Sequence, residues 1–251
     1  MTNAALFTTV AREYANFRPG YPPELFAWLA RAVRVRDAVW DCGCGSGQAS
    51  VALAGHFQVV HATDVAAEQI AAAKSHPRVR YSVAPAENSG LAAGSVDLVT
   101  VAQALHWFDV DAFYAEARRV ARPGALIAVW NYPRPRFADA ELDRVFLEFY
   151  TNVVGPYWPP ERRHIEANYT TLAFPFEEMA HPEFGLELDW PFEQVIGYVS
   201  SWSATTQYRK ALGADPVPLL RETLGKAWPG ADATARVRIP LGLRVGSLGA
   251  R

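Results

Sequence analysis

The sequence has few cysteines and no large excess of positive or negative charge, and each of these absences excludes a class of protein. Only two of its 251 residues are cysteines, Cys42 and Cys44, so a disulfide framework is excluded and a reducing, cytoplasmic setting is expected. The formal net charge is −2, which predicts no electrostatic surface for nucleic acid or anionic lipid. No apolar run approaches the roughly 20 residues that cross a bilayer. We therefore expect neither a nucleic-acid partner nor a membrane span.

The first half of the chain alternates between strand-like and helix-like segments. Strands are predicted at 38–42, 58–63, 79–83, 96–102 and 125–130. Helices are predicted at 48–55, 66–74 and 111–120. This strict alternation is typical of a parallel sheet with helices on both faces.

After Trp130 the pattern becomes helical and rich in aromatic residues. Helices are predicted at about 138–153, 160–170, 193–201 and 214–226, and strands at about 185–191 and 235–244. Fifteen of the 31 aromatic residues fall within 132–202. They form either a tightly packed core or a cap that lines an apolar substrate pocket, and one wall can do both. No repeat and no long linker divides the chain.

The strongest functional signal is the glycine-rich segment 41–47, between a predicted buried strand and a predicted helix. Its spacing is G-x-G-x-G, which differs from the G-x-G-x-x-G of dinucleotide-binding folds. Glycine at such a turn lets a ligand approach the backbone without a Cβ in the way. The free N–H groups at the helix start face the same crevice. The segment therefore predicts a ligand site at the first strand–helix turn.

Three further signals follow predicted strands, whose carboxyl ends line one crevice in an open parallel sheet. Asp64, after the second strand, would accept the ribose hydroxyls of a nucleoside or cap the next helix. Glu87, which follows Ala86 after the third strand, would accept from an adenine amino group or be a solvated surface acid. His106, after the fourth strand, would touch cofactor or substrate or be a structural histidine.

Other chemistries lack their sequence patterns. Cys42 and Cys44 supply two ligands at most, and no Cys/His pair follows at zinc spacing, so no metal is expected. No serine nucleophile elbow and no P-loop is present.

Taken together, these segments resemble the class I S-adenosylmethionine-dependent methyltransferases. The resemblance spans about 37–132 and rests on five places, 41–47, Asp64, 86–87, 95–99 and 118–124. The last of these is similar to the family's R-V-L-x-P-G-G, except that Ala125, which follows it, replaces the second glycine. The segments 14–22, 103–108 and 201–203 are similar to the branch that includes trans-aconitate-type methyltransferases.

The resemblance implies an α/β, Rossmann-like fold. Its seven-stranded sheet would be mostly parallel with an antiparallel last strand, supplied by 235–244, and a helical, aromatic-rich cap would be added to it. We predict a single methyltransferase domain over 1–251. Its parts would be cofactor-covering helices in 1–36, the cofactor-binding core in 37–132, the cap in about 133–184 and a return to the sheet in 185–251.

The resemblance also implies an activity and a set of site residues. The expected reaction is methyl transfer from S-adenosylmethionine to an oxygen, or to nitrogen or carbon, of a small molecule such as a carboxylic acid or a natural-product intermediate. The expected enzyme is a monomer or homodimer. Implied cofactor residues are Tyr14, Arg18, Tyr21, Asp41, Gly43, Cys44, Gly45, Gly47, Gln48, Asp64, Val65, Ala86, Glu87 and Gln103. Candidate substrate residues are His106, Trp107, Tyr132, Trp158 and Trp202, with His106 also the candidate general base for an alcohol or amine acceptor.

Two rival functions stay open on the sequence. A nicotinamide-dependent oxidoreductase would share the Rossmann-like fold, but the glycine spacing and the lack of a suitably placed Tyr-x-x-x-Lys pair disfavour it. A protein that binds the cofactor or a partner without turnover is the other rival. An antiparallel final strand would favour the methyltransferase over the oxidoreductase.

Overall fold

A computed structural model describes residues 17–248, which form two compact units. The sheet unit comprises 20–133, 163–184 and 241–248, and the aromatic unit comprises 17–19, 134–162 and 185–240. Among residues 17–248, no helix combines the length and the hydrophobicity that a membrane span requires. The assignment of 1–251 to a single domain stays a prediction.

The elements are numbered here in chain order. The strands are β1 (Ala38–Cys42), β2 (Val59–Asp64), β3 (Val79–Val83), β4 (Val96–Ala102), β5 (Ala121–Asn131), β6 (Arg136–Phe137), β7 (Glu177–Glu178), β8 (Gly185–Pro191), β9 (Thr234–Pro240) and β10 (Gly242–Ser247). The helices are α1 (Pro23–Ala32), α2 (Gln48–Leu53), α3 (Ala67–Ala71), α4 (Val110–Val120), α5 (Ala140–Glu148), α6 (Arg162–Glu166), α7 (Phe192–Ser200), α8 (Ser203–Leu212) and α9 (Val217–Ala227).

The sheet unit is built on a seven-stranded sheet of order β3-β2-β1-β4-β5-β10-β7. Strands β1 to β5 are parallel, whereas β10 runs antiparallel to β5 and β7 antiparallel to β10. These strands confirm the predicted Rossmann-like architecture with its antiparallel last strand.

Helices cover both faces of this sheet. In β1, Val39 faces a core that α1 and α2 complete, and its neighbour Trp40 faces a second core completed by α4. Leu98 and Val99 of β4 divide between the same two cores. Because successive side chains of a strand point to opposite faces, a strand covered on both sides reads as an unbroken apolar run.

Most strand boundaries agree with the sequence prediction. Strands β1, β3, β4 and β8 have the predicted bounds, but β5 begins at Ala121, before the Pro-Gly pair that was expected to precede it. The register between β4 and β5 jumps from Val96–Ala121 to Leu98–Leu126. Gly124, at φ +81°, lets the chain bulge there and still return to the ladder.

The prediction of one strand over 235–244 is wrong. The chain forms β9 and then β10, and β9 pairs only with β6 and β8 among the described strands. Pro240, which has no N–H to donate, ends β9. The seven-stranded sheet therefore takes its antiparallel strand from Gly242–Ser247 and not from 235–240.

The predicted helices are less accurate than the strands. The segment 66–74 is helical only in α3, which buries no side chain, so its alanine-rich composition lacks packing to extend it. The segment 160–170 is helical only in α6, before Asn168 and Tyr169 adopt positive φ. The segment 138–153 divides into α5 and a π-helical turn at Phe149–Val153, and α8 was not predicted.

The aromatic unit contains a three-stranded antiparallel sheet of order β6-β9-β8 together with α5, α7, α8 and α9. Trp202 lies at the centre of its ring cluster and is 2% exposed. The centroid of its indole lies 5.3–5.7 Å from the centroids of four other rings, those of Phe146, Tyr150, Trp158 and Tyr198. These aromatics form a packed core in the unit.

Candidate active site

The glycine loop (residues 43–47) follows β1 and leads into α2 in the sheet unit. Gly43, Gly45 and Gly47 have φ values of +67°, +53° and +83°, a region that side chains disfavour. A Cβ on Gly43 would lie 2.6 Å from the Cβ of Ala104, and one on Gly47 would collide with the Tyr81 hydroxyl. Within the part of the chain that the structure describes, a Cβ on Gly45 would meet no atom beyond its chain neighbours closer than Oε1 of Gln69, at 3.8 Å. The loop is thus packed against protein at both ends and open at Gly45.

Asp64 ties this loop to the end of β2. The backbone N–H of Gly45 donates to its Oδ2 at 2.8 Å, and the N–H of Ala66 donates to its Oδ1 at 2.9 Å. The alternative role of Asp64 as a helix cap is wrong, because α3 begins at Ala67 without a side-chain cap. An ionised carboxylate has about four acceptor positions, so the hydrogen bonds from described residues leave two of them for a ligand.

Asp41 is buried under the loop, and both of its carboxylate oxygens accept hydrogen bonds from other residues of the chain. Ser50 of α2 donates to Oδ2 at 2.6 Å, and Thr100 of β4 donates to Oδ1 at 3.0 Å. Burial raises the pKa of Asp41 to about 6, although both hydroxyls oppose that shift. Asp41 therefore fixes the loop, and its predicted contact with a cofactor stays a prediction.

The two cysteines flank the start of the loop. Burial raises the thiol pKa of both Cys42 and Cys44. Cys44 contributes its backbone, whose N–H donates to the carbonyl of Thr63 at 3.0 Å and whose carbonyl accepts from Gly47. Within residues 17–248, no group of three His, Cys, Asp or Glu side chains is placed to hold a metal ion.

The remaining predicted cofactor residues of the sheet unit differ in exposure. Val65, directly after Asp64, is 67% exposed although it is apolar. Gln48 is the first residue of α2 and is half-buried. Ala86 is buried, whereas the half-buried Glu87 accepts from the backbone N–H of Asp109 at 3.2 Å, so it is not a fully solvated acid.

Gln103 combines backbone strain with an unpaired amide at the end of β4. Its φ is +61°, which is uncommon for a residue with a side chain. Its N–H donates to the carbonyl of Trp130 at 2.9 Å. Its Nε2 is buried and has no hydrogen-bond partner among the described residues. Strain and an unpaired buried donor at one residue are typical of a functional position.

His106 lies on a short 3₁₀ turn, Leu105–Trp107, just beyond Gln103. Its Nδ1 is 3.0 Å from the hydroxyl of Tyr169. The centroid of the Trp107 ring lies 4.7 Å from the centroid of the imidazole. The structure thus places His106 at the carboxyl end of β4, in the same unit as the glycine loop.

Other predicted residues lie elsewhere in the chain. Tyr14 is outside the described residues. Tyr21 and Tyr132 pack in the sheet unit, with the Tyr21 ring 5.6 Å from Trp130 and 6.1 Å from Tyr132. The remaining three, Arg18, Trp158 and Trp202, belong to the aromatic unit. There the Arg18 guanidinium approaches the Ser201 carbonyl at 3.5 Å and lies over the ring of Tyr198.

The sequence prediction missed three residues of this region. Tyr81 packs over Gly47, and Tyr169 contacts His106. Asn131, at the carboxyl end of β5, is fully buried, and neither amide atom has a partner among the described residues. Only Asn131 had a local signal, as the polar residue that ends the apolar run 125–130. Tyr169 and His106 are 63 positions apart, and no local pattern joins them.

Comparison with known proteins agrees with this architecture. The family described as a methyltransferase domain matches residues 40–129. A candidate methyltransferase of Dictyostelium discoideum is 35% identical over 234 residues, which cover 92% of this chain and 89% of the relative. A candidate S-adenosylmethionine-dependent methyltransferase of Saccharomyces cerevisiae is 27% identical over 168 residues, or 62% of this chain and 58% of the relative.

A solved structure is similar over almost the whole chain. It is described as a candidate type II methyltransferase from Anaeromyxobacter dehalogenans, with 46% identity and a TM-score of 0.88. The match covers 94% of this chain and 100% of that one. The antiparallel β10 also fits a methyltransferase rather than a nicotinamide-dependent oxidoreductase. This chain belongs to the S-adenosylmethionine-dependent methyltransferases with the class I fold.

Proposed function

We propose that this chain binds S-adenosylmethionine at the glycine loop and transfers its methyl group to an oxygen of a small molecule, with carboxylic acids the first class to test. The observation that carries the proposal is the open face of the loop at Gly45. Among residues 17–248, and apart from the chain neighbours of Gly45, the atom nearest to a Cβ placed there is Oε1 of Gln69 at 3.8 Å, and Asp64 accepts from the N–H of Gly45. A carboxylate beside an open glycine fits the ribose of a nucleoside.

Two further residues fit the rest of such a cofactor. The exposed side chain of Val65 follows Asp64 and offers an apolar surface to an adenine ring. The unpaired Nε2 of Gln103 offers a buried donor at the end of β4. A buried donor costs about 1–3 kcal/mol while it is unsatisfied, so a ligand that accepts from it recovers that free energy.

The protein's part in the reaction is positioning. S-adenosylmethionine, when bound, supplies an electrophilic methyl group on a positively charged sulfur. Asp64 and the loop would hold the nucleoside, and His106 with Trp107 would contact the acceptor beside β4. An acceptor held in line with the methyl group reacts without the entropic cost of a bimolecular encounter.

A small acceptor is favoured over a nucleic acid by the charge distribution. The chain carries 24 basic and 26 acidic residues, and many of its arginines are already paired with carboxylates. Arg134, for example, makes a two-pronged ion pair with Asp143. Nucleic-acid ligands require an excess of unpaired positive charge on one face.

Calorimetry tests the cofactor directly. Wild type is titrated with S-adenosylmethionine and S-adenosylhomocysteine, with NADH as the comparison ligand. We expect micromolar binding of the sulfur cofactors, which is about −8 kcal/mol, and none of NADH. Asp64→Ala should weaken that binding about tenfold or more, because hydrogen bonds to a charged group contribute about 1.5–3 kcal/mol.

The matched control is Asp189→Ala, which removes an exposed carboxylate of β8 in the aromatic unit. It should bind the cofactor as wild type does. Failure of wild type to bind either sulfur compound would contradict the proposal. Binding by wild type followed by a screen of small carboxylic acids for methyl-ester formation would then test the acceptor.

A further inference from the structure

Tyr169 contacts His106 from a segment far away in the sequence. Its hydroxyl lies 3.0 Å from Nδ1 of the imidazole, and the two ring centroids are 5.9 Å apart. Tyr169 is fully buried. A buried tyrosine hydroxyl normally needs a hydrogen-bond partner, and this one is bonded to the ring nitrogen of His106.

The backbone around Tyr169 is held in an unfavourable conformation. Asn168 and Tyr169 have φ values of +49° and +61° in succession, a left-handed region that is unfavourable for residues with a side chain. Asparagine tolerates this region better than most residues, but tyrosine does not. This conformation persists only because surrounding contacts enforce it.

Contacts from α6 and β10 enforce it. The N–H of Tyr169 donates to the carbonyl of His164 at 2.7 Å, and its own carbonyl accepts from Arg244 at 3.1 Å. Arg244 is in turn fixed by an ion pair with Glu178. At Gly242, a Cβ would overlap the side chain of Asn168, so glycine makes room for it. Helix α6 and strand β10 therefore together position the hydroxyl of Tyr169 at His106.

The direction of this hydrogen bond follows from the acidity of the two groups. An imidazolium has a pKa near 6.5, whereas the oxygen of a neutral phenol is protonated only in strong acid, so the neutral ring nitrogen is a much stronger base than the phenol oxygen. Donation from the Tyr169 hydroxyl to Nδ1 of neutral His106 is therefore favoured over the reverse arrangement. A neutral imidazole has one protonated nitrogen, so the proton of His106 lies on Nε2.

We propose that Tyr169 is a positioning residue that holds the imidazole of His106 in one orientation and in its Nε2–H tautomer. The role in methyl transfer rests on the function proposed above. With Nε2 already protonated and Nδ1 accepting from Tyr169, His106 takes no proton from the methyl acceptor. In this arrangement His106 would not be the general base that an alcohol or amine acceptor needs, whereas a carboxylic acid, which arrives ionised, needs none.

Nitrogen NMR of the 251-residue chain tests the tautomer without any substrate. The six histidines of ¹⁵N-labelled protein are observed well above the ordinary imidazole pKa of about 6.5, and His106→Asn assigns the signal of interest. We expect an unprotonated Nδ1 and a protonated Nε2. In Tyr169→Phe, we expect both nitrogens to move toward the averaged values of an exchanging imidazole.

The control is Tyr114→Phe, which also removes one buried hydroxyl from the sheet unit. That hydroxyl donates to the carbonyl of Ala173 at 2.9 Å and does not touch His106. Tyr114→Phe should lower the melting temperature about as much as Tyr169→Phe but leave the His106 signals unchanged. A purely structural role for Tyr169 would leave the His106 signals unchanged in both variants, and that result would overturn the proposal.

Two further outcomes separate this proposal from the proposed function. A protonated Nδ1 in the wild-type spectrum would refute the tautomer, even if Tyr169→Phe failed to fold. Failure of wild type to bind S-adenosylmethionine would refute the function and leave the tautomer assignment intact. If Tyr169→Phe binds the cofactor as wild type does while the tautomer is lost, both proposals are supported.

Discussion

At the scale of single residues, two buried carboxyl groups of the sheet unit have opposite pKa shifts. Burial dominates at Asp41 and raises its pKa to about 6. At Glu116, hydrogen bonds from Arg119 and Ser89 outweigh the effect of burial and lower the pKa of the carboxyl group to about 2. Because a pKa shift is a difference in proton affinity between folded and unfolded chains, the two groups contribute opposite pH dependences to stability.

Asp41 should make the protein less stable as the pH rises. Its folded pKa of about 6 is above the ordinary value of 3.8, so the folded state binds the proton more tightly. The free energy of unfolding then falls between about pH 4 and pH 6, by up to about 3 kcal/mol. Urea titrations at pH 4 and pH 7 should show this fall in the stability of wild type relative to that of Asp41→Asn, which cancels the contributions of other groups. Identical pH profiles would contradict the prediction.

Glu116 should have the opposite effect. Its carboxylate accepts from the backbone N–H of Ser89 at 2.8 Å and pairs with Arg119 at 2.6 Å. Its contribution to stability is present above pH 4.5 and is lost as the pH falls toward 2. Glu116→Gln should therefore destabilise the protein at pH 7 by up to about 3 kcal/mol and much less near pH 2. Exposed Glu222→Gln serves as the control, with little change at either pH.

The glycine loop allows a comparison of two alanine substitutions. Both Gly45→Ala and Gly47→Ala place a side chain at positive φ, which costs about 1–2 kcal/mol. Only Gly47→Ala also collides with Tyr81. Thermal melts should show the larger loss for Gly47→Ala, whereas calorimetry should show weaker cofactor binding for both. Equal melting temperatures for the two variants would refute the packing argument.

At the scale of elements, buried strands were predicted best and short helices worst. Strands β1 and β4 are mostly apolar because both faces are covered, and such a run is visible in the sequence despite Asp41, Asp97 and Thr100. Helix α3 has strong intrinsic propensity but no packing, so its predicted length was wrong. The separation of β9 from β10 depends on which sheet each strand joins, and no local pattern carries that information.

Asp97 links β4 to the start of β1. Its Oδ2 accepts from the N–H groups of Asp37 and Ala38 at 3.0 and 2.9 Å, and Arg122 pairs with the same carboxylate. Asp97→Ala leaves the buried N–H of Ala38 unsatisfied, which costs about 1–3 kcal/mol. Arg122→Ala removes a partly exposed ion pair worth about 0–1 kcal/mol. Chemical denaturation of both variants should therefore show a much larger loss for Asp97→Ala.

At the scale of the whole molecule, each unit is assembled from separate stretches of chain. The sheet unit requires 163–184 and 241–248 in addition to 20–133. The glycine loop and Asp64 could be predicted because their signal lies within one strand–helix–strand stretch. Tyr169 and Arg244 could not, because they reach the site only through the long-range folding of these later segments.

A fragment that ends at Pro133 should not fold cooperatively. It lacks β10, so the outer edge of β5 is left unpaired from Leu126 to Asn131. It also lacks Ile165, Tyr169 and Leu248, which complete the second core. The fragment should lose near-ultraviolet circular dichroism and unfold in urea without a sharp transition, in contrast to the full chain. A sharp transition would show that the later segments are dispensable for the sheet.

The burial of both thiols has a practical consequence for spectroscopy. Cys42 and Cys44 are 1% and 9% exposed, and their raised pKa keeps them protonated at neutral pH. Maleimide reagents attack thiolates that they can reach, so both native residues should react slowly. The wild-type chain then serves as its own unlabelled background, and one cysteine introduced at the surface can carry a fluorophore without removal of either native thiol.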